Sequence, residues 1–129
     1  FDTTSQRACA RGYLLERDQM RWYWDQYVPE PARRTEPEAA PLRAARLSGL
    51  PPAIVLTAEF DPLRDEGAAY AGRLAADGVE VHHECVAGQI HGFLGMIGGI
   101  PSADEAMTRL CAAMRARLSV ATTAEVSHG

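Results

Sequence analysis

The 129-residue sequence contains no lysine; its 13 basic residues are all arginine and stand against 17 acidic ones, for a net charge of -4. The arginines are scattered, so no basic block could neutralise a row of phosphates, and nucleic acid is not an expected partner. An arginine-only, alanine-rich composition points to GC-rich codon usage, as in many bacteria, and carries no functional meaning. No apolar run approaches the roughly eighteen residues that a membrane-spanning helix needs. The opening F-D-T-T-S-Q-R-A has neither the charged start nor the apolar stretch of a secretory signal, so no transmembrane segment and a cytoplasmic residence are the expectations. Cysteine is scarce. Cys9, Cys85 and Cys111 are widely spaced with no C-x-x-C pair, which argues against a disulfide framework or a zinc site. Cys111 on a helical stripe and Cys85 in a strand read as buried, inert thiols. His82 and His83 fall on opposite faces of one strand and cannot share a metal, so neither a metal nor an organic cofactor is expected.

What is present is one domain's worth of chain, or the remainder of a larger domain, with 47% hydrophobic residues available for a core. Phe1 to about Gly12 shows no period and reads as a loop. Leu14 to Tyr27 carries the bulky Leu15, Met20, Trp22, Tyr23, Trp24 and Tyr27 and suggests a helix or two short ones, which Pro29 and Pro31 end. Glu30 to Pro52 reads as a surface loop. Ala53 to Ala58 is a short, continuously apolar, β-branched run, as expected of a parallel strand buried on both faces near the centre of a sheet. Asp61-Pro62 breaks it, and a helix is predicted from Leu63 to Asp77, with Asp65 and Glu66 in its first turn and Gly78 as its stop. Val79 to Val86 alternates like a strand with one solvated face, near the sheet edge. Gly88 to Pro101 is a glycine-rich loop. Ser102 to Glu105 fits a capping box, followed by a helix whose stripe is Met107, Leu110, Cys111, Met114 and Leu118. Residues 1–50 thus form a helical segment and loop, 51–121 a strand-helix-strand-helix unit, and 122–129 a tail.

That order indicates an α/β fold with a parallel sheet, yet two strands are too few for one, so strands are missing. Ligands of such sheets collect at the carboxyl ends of the strands. Asp61 lies just beyond that end of the first predicted strand and His91 a few residues beyond that of the second. On neighbouring strands the two could meet, the carboxylate fixing the imidazole tautomer and leaving the other ring nitrogen to take a proton.

The segments L-P-P-A-I-V-L-T-A-E-F-D-P-L-R-D-E-G (50–67), A-Y-A-G-R-L (69–74), G-V-E-V (78–81) and I-H-G-F (90–93) resemble the carboxyl-terminal part of the hormone-sensitive-lipase-like carboxylesterases, which are α/β hydrolases. G-Y-L-L and W-Y-W-D-Q-Y, from Gly12 on, extend the resemblance to nearly the whole chain. It implies that Asp61 is the acid and His91 the base of a catalytic triad. It also implies a cap-like position for residues 1–50, with Trp22, Tyr23 and Trp24 near the acyl pocket, although packing is the commoner fate of such aromatics. Phe93, beside the pliant Gly92, would help to wall the pocket. Arg64 would brace the acidic loop.

In this fold the serine precedes the acid, in a G-x-S-x-G turn. No such turn occurs here, nor does the family's H-G-G-G oxyanion motif. Ser5 and Ser48 fall in expected loops, Ser102 is a cap, and Ser119 and Ser127 follow the last strand, so none reads as a nucleophile. The expectation is the carboxyl-terminal portion of a serine esterase for short to medium acyl esters, inactive alone. Its partners would be a small-molecule ester and the missing amino-terminal half of the same enzyme, with a homodimer left open. Two alternatives remain: an amidase or peptidase of the same fold, or a non-catalytic truncated module that pairs with another chain through its sheet edge.

Overall fold

The computed structural model describes residues 1–126, with side chains through residue 118. It comprises two compact units, Phe1–His91 and a second beginning at Gly92.

The first unit opens where the sequence suggests a loop, with a short helix α1 (Thr4–Ala8). Its nucleus is a capping box. Thr3 Oγ1 accepts from the Gln6 amide at 3.2 Å, and Gln6 Oε1 accepts from the Thr3 amide at 3.1 Å. Helix α2 (Arg17–Tyr27) begins after Glu16, whose amide donates to Gln19 Oε1 at 2.9 Å, and stops before Pro29. The segment between Tyr27 and Ala53 has no strand or α-helix, only two 3-10 turns, Pro31–Thr35 and Pro41–Arg43. Its distal part is fastened by side chains. The Arg73 guanidinium donates to the Ala44 carbonyl at 2.8 Å and to that of Leu42, and Asp77 accepts from the Leu47 amide. Leu47 thereby reaches a small core with Leu74 and Val79, flanked by Ala44, Ala53, Tyr70 and Val81.

Strand β1 (Ala53–Phe60), helix α3 (Arg64–Ala76) and strand β2 (Val81–Ile90) form a crossover that pairs the strands in parallel. Helix α3 lies mainly over β1 and approaches it closely at Gly67: a β-carbon there would stand 2.7 Å from Thr57 Cγ2. Only Thr57 and Ala58 of β1 are buried, and Ala53–Leu56 stay half-buried, because β2 is its sole neighbour among the described residues. The two-sided burial and near-central place expected of this strand are therefore absent here.

Strand β2 starts later and ends later than its alternation suggests. Val79 is held in the exit turn of α3, its amide donating to the Leu74 carbonyl at 3.0 Å after Gly78 turns at φ +82°. At its other end the strand continues through a bulge. Register runs from Ala53 opposite Val81 to Ala58 opposite Val86, and resumes at Phe60 opposite Ile90. Between those pairs β1 places Glu59, whereas β2 places Ala87, Gly88 and Gln89. Gly88 takes φ +71°, open to glycine without strain, and its amide donates to Glu59 Oε2 at 2.7 Å. Cys85, the partner of Thr57 in the register, is exposed, contrary to expectation. Cys9 is the buried thiol, and burial pushes its pKa up, which keeps it protonated and inert.

In the second unit, Gly92 (φ +73°) leads into a 3-10 turn, Phe93–Met96, and then helix α4 (Pro101–Val126). The helix starts one residue before the expected cap, with Pro101 in its first position. Ser102 is therefore inside the first turn, and Asp104 Oδ1 accepts instead from the Gly98 amide at 2.9 Å. The buried positions are Ala103 and Ala106, while Met114 and Leu118 of the expected stripe stay exposed. Residues 122–126 are helical rather than a tail, and 127–129, with Ser127 and His128, lie outside the described residues. Among the described residues no helix is long and apolar enough to cross a membrane.

Candidate active site

The register of the two strands decides what meets at their carboxyl ends. Phe60 and Ile90 are partners, so the next residues, Asp61 and His91, leave the sheet side by side. Their side chains join: His91 Nδ1 lies 2.9 Å from Asp61 Oδ2. The second carboxylate oxygen, Oδ1, accepts from the Leu63 amide at 2.8 Å, and the Asp61 carbonyl accepts from the Arg64 amide at 3.1 Å. The acid is thus fixed by its own turn and buried, whereas the His91 side chain keeps 37% of its surface exposed. With Nδ1 donating to the carboxylate, Nε2 is the nitrogen left to accept a proton. A carboxylate and imidazole so arranged can serve as orienter and general base.

The His91 ring also lines a cleft of about 360 Å³ whose other walls are Leu15, Met20, Tyr23, Trp24, Tyr27 and Leu63. All but the histidine are predominantly apolar. Of the aromatics singled out in the sequence, Tyr23 and Trp24 face this cleft and Trp22 is not among its walls; Trp22 is 57% exposed and packs edge-on against Tyr23. Phe93 belongs to the second unit, where it is buried at the start of the 3-10 turn. Tyr27, Met20, Leu15 and Leu63 went unremarked as walls. The signal for two of them was available, because Met20, Tyr23, Trp24 and Tyr27 recur at the three- and four-residue spacing of one helix face.

Beneath the acid turn lies a polar cluster. Arg64 braces it as expected, Nη1 donating to the Glu59 carbonyl at 3.0 Å and Nε to Asp65 Oδ1 at 3.0 Å. Burial by itself would raise the Asp65 carboxyl, but hydrogen bonds from Ser5 and the adjacent Arg64 charge outweigh it and hold the group below its ordinary range. Ser5 is fully buried in α1, not in a loop. Ser48 accepts from Arg46 at the surface. His83 Nε2 lies 3.2 Å from Thr57 Oγ1, and among the described residues no group of three His, Cys, Asp or Glu side chains could hold a metal ion.

Residues 1–95 match a family described by the α/β hydrolase fold. Ethyl acetate hydrolase of Pseudomonas putida is 39% identical over 107 residues, which cover 83% of this chain and 34% of that protein. Carboxylic ester hydrolase LipN of Mycobacterium tuberculosis is 38% identical over 120 residues, covering 91% of this chain and 31% of that protein. Among solved structures, an esterase of the fungus Rhizomucor miehei is 35% identical with a TM-score of 0.88, over 93% of this chain and 38% of that one. The chain spans about a third of the length of the curated relatives it matches.

Proposed function

Because the chain belongs to the hormone-sensitive-lipase-like carboxylesterase family of the α/β hydrolase fold, we propose that it carries the acid and base of a serine carboxylester hydrolase. The observation that carries this reading is the Asp61–His91 hydrogen bond of 2.9 Å beside an apolar cleft. In the reaction, His91 Nε2 takes the proton of a serine hydroxyl as that oxygen attacks the ester carbonyl. Asp61 stabilises the imidazolium, and the proton passes to the departing alcohol. Water then repeats the sequence on the acyl-enzyme. The serine and the amides that hold the oxyanion come from residues outside these 129, since neither a G-x-S-x-G turn nor an H-G-G-G run occurs among them. The cleft suits a short to medium acyl group: its volume holds a small apolar chain, and its walls offer little to hydrogen-bond.

The test uses the full-length protein that contains this chain, assayed with p-nitrophenyl butyrate and with the matching p-nitroanilide. Asp61→Asn is expected to lower kcat by roughly 10⁴ and His91→Ala by roughly 10⁶, the scale of the losses when the corresponding triad members are removed in serine proteases. Losses under tenfold in both variants overturn the assignment, and faster turnover of the anilide replaces esterase with amidase. The 129 residues alone are expected to hydrolyse neither substrate.

A further inference from the structure

Helix α1 has five residues, too few to be stable by its own hydrogen bonds. It nevertheless buries two polar side chains almost completely, Ser5 and Gln6. Burying a hydroxyl or an amide is unfavourable unless its partners are supplied. Here every long-range partner lies in one place, the D-P-L-R-D-E run. Ser5 Oγ donates to the Pro62 carbonyl at 2.8 Å and accepts from the Asp65 amide at 3.2 Å, while the Ser5 amide donates to Asp65 Oδ2 at 2.7 Å. Gln6 Nε2 donates to Glu66 Oε2 at 3.0 Å, farther along α3.

The Ser5 hydroxyl therefore bridges the two ends of the turn that presents the acid. Pro62 is the residue after Asp61, and its carbonyl belongs to the same peptide group as the Leu63 amide that anchors Oδ1. Rotation of the 62–63 peptide would break the Ser5 bond and the Leu63 bond together. A buried alanine would fill most of the same space, so packing does not explain the hydroxyl; a bridge across the turn does. We infer that Ser5 is a positioning residue for the catalytic acid: its buried hydroxyl, tied to Pro62 and Asp65, locks the turn that aims the Asp61 carboxylate at His91. This rests on Asp61 and His91 acting as acid and base.

The experiment compares Ser5→Ala, Ser5→Thr, Gln6→Met and His91→Ala in the full-length protein, by steady-state kinetics and by the ¹⁵N shifts of the His91 ring. Ser5→Ala is expected to lower kcat on the order of tenfold with KM unchanged, as for small misplacements of a catalytic group, and to mix the two His91 tautomers. Ser5→Thr restores the hydroxyl and with it a single Nδ1–H tautomer. Gln6→Met removes the bond to Glu66 and the capping bond to the Thr3 amide but none to the acid turn, so it lowers the melting temperature and leaves the tautomer alone. If Ser5→Ala does not fold, Ser5→Cys, with a weak donor in nearly the same volume, serves in its place and is expected to give a partial shift. A Ser5 variant that melts earlier but keeps kcat and the tautomer overturns the inference. Full activity in His91→Ala would instead overturn the esterase reading, and the ring shifts would still report whether Ser5 holds the acid.

Discussion

Two glycines of one helix should respond oppositely to the same substitution. Gly67 and Gly72 both lie in α3, and both are expected to gain up to about 1 kcal/mol as alanine from helix propensity alone. At Gly72 nothing lies within 4 Å of an added β-carbon, so that gain is realised. At Gly67 the new atom would stand 2.7 Å from Thr57 Cγ2, well inside the roughly 3.5 to 4.0 Å of an optimal carbon contact. Thr57 is buried in β1 and its hydroxyl is engaged with His83, so the methyl cannot turn away freely. Forcing α3 off the sheet costs about 1–3 kcal/mol. Net of propensity, Gly67→Ala should be destabilising by up to about 2 kcal/mol and Gly72→Ala stabilising by up to about 1 kcal/mol. Thermal and urea unfolding of the two variants side by side measure the gap. Since the first turn of α3 also carries the amides that hold Asp61, Gly67→Ala should lower kcat as well. Equal stability of the two variants would refute the close-approach argument.

Other consequences can be checked singly. The Asp65 carboxyl is held low in the folded protein, so its contribution to stability is fully present above about pH 4 and is lost as pH falls through the folded value. Asp65→Asn should therefore flatten the acid limb of a melting-temperature profile and lower the plateau. Arg73→Ala frees the Leu42 and Ala44 carbonyls, and a loss of about 1–3 kcal/mol with faster proteolysis between residues 30 and 52 is expected. Trp24→Ala enlarges the cleft, which should raise kcat/KM for octanoyl over butyryl p-nitrophenyl esters by on the order of tenfold. An unchanged chain-length profile would remove Trp24 from the acyl wall.

The strand from Ala53, the break at Asp61-Pro62 and the helix after it were legible because their signals are local: a β-branched run, a proline and an acidic first turn. The meeting of Asp61 with His91 was legible from topology, since both follow strands of one parallel pair. What escaped depends on distant partners. Helix α1 carries a weak local signal, Thr3 and Gln6, and its buried polar residues make sense only against Asp65 and Glu66, some sixty positions away. The exposure of Cys85 and of Met114 and Leu118 in the α4 stripe reflects what covers each surface, which no periodicity records. The end of β2 was misplaced because alternation stops at Val86 while the strand itself continues through its bulge.

That bulge makes the approach to His91 sensitive to whether the chain changes length by an odd or an even number of residues. Each residue of a strand reverses the direction of its side chain and advances it about 3.3 Å. Deleting one of Ala87, Gly88 or Gln89 would turn the imidazole to the opposite side of the sheet, away from Asp61. Deleting two would remove the bulge, leaving one residue opposite Glu59 and Ile90 still opposite Phe60, so His91 would keep its place beside Asp61. Ala87 and Gly88 are exposed, where a change in length would ordinarily pass unnoticed, yet here the segment behaves like a gear tooth. A change by an odd number of residues keeps the histidine in its seat only with compensation elsewhere in the strand, whereas loss of two merely straightens it.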